Sequence, residues 1–164
     1  MQNQEFRCGF VALVGRTNAG KSTLVNALTG EKVSITSPKS QTTRNNIRAI
    51  VTLENRAQVI FVDTPGLHLW RKRALNRAMI DMALSSLGDA DVVVFLIDAR
   101  AALDSDGSIP KLEAQFIEEL KKVDTPVVLA INKIDLLSDP ALVLPIMETY
   151  HKAYEFKHMV PISA

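Results

Sequence analysis

The chain has 164 residues, 47% of them hydrophobic, and its 19 Lys and Arg against 18 Asp and Glu leave a formal charge of +1. That length suffices for one soluble domain with its own core, without repeats or low-complexity tracts, and so small a charge excludes nucleic-acid binding by bulk electrostatics. No apolar run is long enough to cross a bilayer, no secretory or transit pattern opens the chain, and the lone Cys8 excludes an internal disulfide and suits a reducing cytoplasm.

The first apolar run, residues 10–14, predicts a buried strand. It delivers the chain to Gly15, Arg16, Thr17, Asn18, Ala19, Gly20, Lys21 and Ser22, which complete the pattern G-x-x-x-x-G-K-[ST]. Glycine at position 20 lets the backbone curl until its amides face a phosphate. Lys21 then neutralises β- and γ-phosphates, and Ser22 sets its hydroxyl on Mg2+. A helix predicted at 21–29, with Thr23 in its first turn and Gly30 closing it, adds the positive end of its dipole to the same anion site. The bland alternative is a glycine-rich turn.

Strands are predicted next at 46–53 and 58–63, around a hairpin turn at Glu54 and Asn55. The second runs into Asp63, Thr64, Pro65 and Gly66, so a carboxylate stands at the carboxyl end of a strand, where open α/β sheets collect ligands. Mg2+ keeps several waters and takes few protein carboxylates, which suits Asp63 as a ligand through water. Gly66 offers its amide to a γ-phosphate. An ordinary turn after a strand is the alternative.

A helix at 73–87 precedes a strand at 92–98, whose unbroken apolar run reads as buried on both faces. A helix at 110–123 and a strand at 127–132 lead to Asn132, Lys133, Ile134 and Asp135, the motif NKID. A carboxylate at Asp135 accepts from both N1–H and the exocyclic amine of guanine, whereas adenine presents a lone pair there and is rejected. Asn132 is expected to buttress the pocket and meet the base edge, and Lys133 to lay its aliphatic stem over the ring. A charged loop after a strand is the bland reading, but the three motifs in order point to GTP. A helix at 140–154 and a strand at 159–162 follow, and the chain stops at Ser163 and Ala164, which match the start of a last guanine loop with backbone contacts to the base. No helix remains to cover that strand, so a fragment of a longer protein is expected. The pattern as a whole predicts a doubly wound α/β fold, a mostly parallel six-stranded sheet with helices on both faces.

The segments GRTNAGKSTLVNAL, SITSPKSQTTRNNIRAI, FVDTPGLH, LNRAM, GDADVVVFLID and AINKIDLL together resemble the GTPase domain of the Era family of bacterial ribosome-assembly GTPases, over nearly the whole chain. Thr17 and Ala19 depart from the usual GRPNVGKS and leave the glycines, lysine and serine in place. The resemblance implies a switch that binds GTP and GDP, hydrolyses GTP slowly with Mg2+, and docks on small-subunit ribosomal RNA and the 30S subunit. It implies a cytoplasmic protein with peripheral contact at the inner membrane as a family property, although these residues show no amphipathic anchor. It implies further that residues 1–164 are the GTPase domain and that an RNA-binding KH domain belongs after them.

Residues 41–44 become the first switch, with Thr43, or alternatively Thr42, on Mg2+ and the γ-phosphate; a polar loop touching no metal is the other reading. Leu67 stands where Ras-like enzymes carry the glutamine that orients water. The resemblance supplies K+ instead, held by Asn18, against an asparagine that merely tolerates a tight turn. The implied catalytic set is Lys21, Thr43, Gly66 and Asn18. His68 reads as an ordinary switch-loop residue, and Trp70, Arg71, Lys72, Arg73 and Arg77 as a solvated basic face rather than an RNA contact. A GTP-binding module without turnover stays open, as does a related tRNA-modification GTPase. A phosphoryl-transferring P-loop kinase is opposed by NKID.

Overall fold

Apolar runs that alternate with amphipathic segments bury both faces of a sheet only if helices cover them. A computed structural model, which describes residues 6–30, 47–53, 56–63, 90–105 and 107–164, has this arrangement. In chain order the elements are β1 (Arg7–Gly15), α1 (Lys21–Thr29), β2 (Ile47–Leu53), β3 (Ala57–Asp63), β4 (Val92–Asp98), α2 (Ala99–Leu103), α3 (Lys111–Leu120), β5 (Val127–Asn132), α4 (Val143–Ala153) and β6 (His158–Pro161). The sheet order is β2-β3-β1-β4-β5-β6. Among the described strands only the β2–β3 pair is antiparallel.

The alternation along β1 explains why its sequence reads as one continuous apolar run. Ala12 and Val14 join Phe95, Ile97, Leu129 and Ile131 in a core capped by Leu112, Phe116 and Ile117 of α3 and Ile146 of α4. Leu13 points to the opposite face, with Phe61, Leu96, Ala130 and Val25 of α1. Each face therefore has its own helical cover, as expected for a doubly wound sheet.

Several predicted boundaries shift. β1 begins three residues before the apolar run, because Arg7, Cys8 and Gly9 extend the parallel ladder opposite Ala57, Gln58 and Val59; a ladder needs only backbone groups. β6 starts at His158 rather than Met159. The helix predicted at 110–123 is shorter, with Pro110 in extended conformation as its cap and the last turn ending at Leu120. The helix predicted at 140–154 is two elements. Asp139 caps a tight 3-10 turn, Pro140–Leu142, by accepting from the Ala141 amide at 2.8 Å, and α4 follows from Val143. The five-residue α2 has no counterpart among the predicted elements; Asp98 starts it as a side-chain cap. The helix predicted at 73–87 and the turn residues Glu54 and Asn55 lie outside the described residues.

The parallel strands end together. Gly15 of β1 pairs with Leu96, Asp63 of β3 with Leu13, and Asp98 of β4 with Asn132 of β5. This carboxyl edge gathers the motif residues.

Candidate functional site

The loop that leaves β1 is shaped by close approach. A Cβ on Gly15 would lie 2.3 Å from the Leu96 carbonyl oxygen, and a Cβ on Gly20, where φ is +103°, would lie 2.2 Å from Asn132 Nδ2. Gly20 thus provides the expected curl, and it also makes room for a residue more than a hundred positions away. Asn18 adopts φ 63°, a left-handed conformation that asparagine tolerates better than most residues. Lys21 opens α1 and its ammonium donates to the carbonyls of Gly15 and Arg16, both at 2.9 Å, so it lies across the mouth of the loop. Ser22 and Thr23 occupy the exposed first turn of the same helix.

Asn132 is fully buried. Its Nδ2 donates to the Ala19 carbonyl at 2.8 Å, and its Oδ1 accepts from the Ala164 amide at 3.0 Å. One side chain therefore ties the loop after β1, the NKID turn and the Ser163-Ala164 pair together. Lys133 also has left-handed backbone, φ 64°, and its ammonium bridges the Asn18 carbonyl at 2.7 Å and Asp98 Oδ2 at 2.6 Å. Asp135 stands exposed at the surface of this corner, with Ser163 Oγ donating to its Oδ1 at 2.6 Å. The Ser-Ala pair bonds to two NKID side chains, Ser163 to Asp135 and Ala164 to Asn132.

Two residues that sequence reasoning missed belong to this corner. Asp98 accepts from the Arg100 and Ala101 amides through Oδ1 while Oδ2 faces Lys133. Its signal was legible as an aspartate between a strand and an alanine-rich turn. Glu113 of α3 is 2% exposed, with the hydroxyl of Tyr150 donating to Oε2 and Arg16 Nη1 3.9 Å from Oε1. An acid on the stripe that carries Phe116, Ile117 and Leu120 was the available sign.

Burial raises the Asp98 carboxyl, but the Lys133 hydrogen bond and charge with the Ala101 and Arg100 amides outweigh it, and the net shift is downward. A depressed carboxyl contributes stability above its unfolded pKa and loses it as pH falls through the folded one. The parent melting temperature should therefore fall more steeply than that of Asp98→Asn as the pH drops below about 5, because asparagine keeps the cap acceptor without the charge. Parallel slopes in thermal melts across that range would refute the assignment.

Thr42, Thr43, Gly66, Leu67, His68, Trp70, Arg71, Lys72, Arg73 and Arg77 lie outside the described residues.

Residues 10–133 match the protein family described as 50S ribosome-binding GTPase. GTPase Era of Marinobacter nauticus is 48% identical over 99% of this chain and 51% of its own length, and that of Histophilus somni 45% identical over 100% and 52%. A crystal structure of Era with MgGDPNP and a 16S ribosomal RNA fragment superposes with TM-score 0.75 at 41% identity, covering 97% of this chain and 52% of that one. An Aquifex aeolicus Era variant bound to GDP and AlF4− gives 0.73 at 42%, covering 95% and 51%. The chain spans about half the length of the relatives it matches. Motif order, sheet topology and sequence thus converge on one ancestry, and the chain belongs to the family described as 50S ribosome-binding GTPase, with its similarity running to the GTPases Era.

Proposed function

We propose that this chain is the guanine-nucleotide half of a ribosome-assembly switch of the Era kind, which binds GTP and GDP, hydrolyses GTP slowly, and couples that change to docking on small-subunit ribosomal RNA and the 30S subunit. The observation that carries the reading is the convergence on Asn132, which joins the Ala19 carbonyl of the phosphate loop to the Ala164 amide beside the guanine-type turn. A buried amide bonded on both sides welds the loop after β1 and the Ser163-Ala164 corner into one unit.

In this reading residues from Gly15 to Thr23 cradle the phosphates with backbone amides and the amino end of α1, and Lys21 turns its ammonium from the loop carbonyls to the β- and γ-phosphates. Asp135 selects guanine, with Ser163 fixing its rotamer, and Asn132, Lys133 and Ala164 frame the pocket. The residues present suit Mg2+: Ser22 opens the helix beside the loop, and Asp63 ends β3 in register with Leu13, two residues before Gly15. With Thr43 they would hold the ion, which would supply positive charge to the phosphates. The Era structure with MgGDPNP supports that metal. Asn18 suits K+, since its side chain stands exposed on a left-handed turn at the loop's crest. The ion would supply the positive charge that an arginine finger brings elsewhere, in a chain whose Leu67 has no group to orient a water. Gly66 offers its amide to the γ-phosphate and swings when that group leaves.

The proposal includes an RNA-binding KH domain after this one, for which the half-length match to the relatives leaves room, and RNA docking, supported by the 16S fragment bound to Era. It extends to a cytoplasmic protein with peripheral contact at the inner membrane; no described helix is long and apolar enough to cross a membrane.

Single-turnover GTP hydrolysis with Mg2+, in KCl against NaCl, tests the reading. Turnover should be faster in KCl by on the order of tenfold, about 1.4 kcal/mol of barrier, and the advantage should vanish in Asn18→Ala. GTP bound but unhydrolysed in both salts would leave a binding module and sink the mechanism.

A further inference from the structure

Among the described residues the buried polar or charged side chains are Asn132 and Glu113, and both reach the phosphate loop. Asn132 does so as part of a known motif. Glu113 has no part in the mechanism above, yet it sits in the first turn of α3 at 2% exposure, on the apolar stripe that packs against the sheet. A carboxylate in such a place is costly unless it is paired and hydrogen-bonded, and an apolar side chain of similar volume would serve the core at least as well. Burial pushes the carboxyl up, against the Tyr150 hydrogen bond and the Arg16 charge, so Glu113 gives up stability in its charged form.

Tyr150, itself 1% exposed on α4, donates its hydroxyl to Oε2 and fixes the carboxylate from behind. Oε1 is left toward the guanidinium of Arg16, the first residue after β1. The main chain of Arg16 is what the loop is built on: its carbonyl accepts from the Lys21 ammonium at 2.9 Å and from the Ala19 amide at 3.3 Å. Holding the side chain of Arg16 against α3 therefore restrains the carbonyl that seats Lys21.

We propose that Glu113, fixed by Tyr150, is a positioning residue for nucleotide retention, acting through Arg16 to hold the phosphate loop and its lysine in register. The proposal rests on the nucleotide-binding reading of this loop and adds to it a brace from the helical layer. Asn132 then holds the loop by a hydrogen bond to the Ala19 carbonyl, and Glu113 acts on it through the charge of the Arg16 side chain 3.9 Å away.

The test measures dissociation of a fluorescent GDP and the melting temperature for the parent, Glu113→Gln, Arg16→Gln and the double variant. Glutamine keeps the volume and an acceptor for Tyr150 but turns a charge partner of Arg16 into a neutral one. Glu113→Gln should release GDP about tenfold faster while its melting temperature holds or rises, and the double variant should release no faster than the worse single one. An unchanged release rate, or faster release that tracks a lower melting temperature and adds across the double variant, overturns the proposal while the parent's binding keeps the wider reading intact. A parent that binds no guanine nucleotide overturns both. Should Glu113→Gln fail to fold, Tyr150→Phe makes a smaller lesion in the same brace, and its release rate must rise for the proposal to stand.

Discussion

Gly20→Ala is expected to abolish guanine-nucleotide binding and to lower the stability of the domain in the same step. The new Cβ would lie 2.2 Å from Asn132 Nδ2 at a φ of +103°, so it meets both a collision and a backbone conformation that alanine avoids. The backbone term costs about 1–3 kcal/mol. Relieving the collision expels the Asn132 amide from its bond to Ala19, leaving buried polar groups unpaired at about 1–3 kcal/mol more. Together these predict a loss of a few kcal/mol in stability and, because the loop and the guanine corner come apart, an affinity at least about a hundredfold weaker. Thermal melts and a GTP titration check both. Affinity within about threefold of the parent would mean that the Asn132 contact does not organise the site. Asn132→Ala should reproduce the binding defect without the backbone term, which separates collision from lost brace.

Asp135→Ala carries the other large effect, and it falls on selectivity. Asp135 is exposed at the rim, and its Oδ1 is aligned by Ser163 at 2.6 Å, so the carboxylate is held ready rather than sampled. Removing it leaves both guanine donors unpaired, and sites that recognise a substrate by hydrogen bonds lose about 10⁴ in discrimination when the match is gone. GTP affinity should fall by roughly that factor, with ATP affinity unchanged. Ser163→Ala should lose only about threefold to tenfold, since the carboxylate remains and only its orientation relaxes. Competition of ATP and GTP for the two variants distinguishes these outcomes; equal losses for both nucleotides in Asp135→Ala would remove Asp135 from base recognition.

Much of the architecture was legible in local patterns. α1, β4 and β5 occupy the predicted residues, because a glycine-bounded helix and runs buried on both faces announce themselves in short windows. The misjudged boundaries have one kind of cause. β1 extends to Arg7 because β3 offers a partner backbone, and that pairing has no side-chain signature. The 140–154 segment divides into a 3-10 turn, in which the Leu142 amide donates to the Asp139 carbonyl at 3.1 Å, and α4 from Val143.

Motif letters by themselves determined the fold class and pointed to the nucleotide class, since the spacing of G-x-x-x-x-G-K-[ST] and the lone carboxylate of NKID express chemistry that acts over a few residues. The tertiary structure decided how these pieces hold one another. Lys133 reaches the Asn18 carbonyl, Asn132 reaches Ala19, and Glu113 approaches Arg16 only because parallel strands end on one edge and a helix packs beside them. A buried donor or acceptor must find a partner wherever the fold places one, and that demand is met across a hundred positions of sequence, where no local pattern records it.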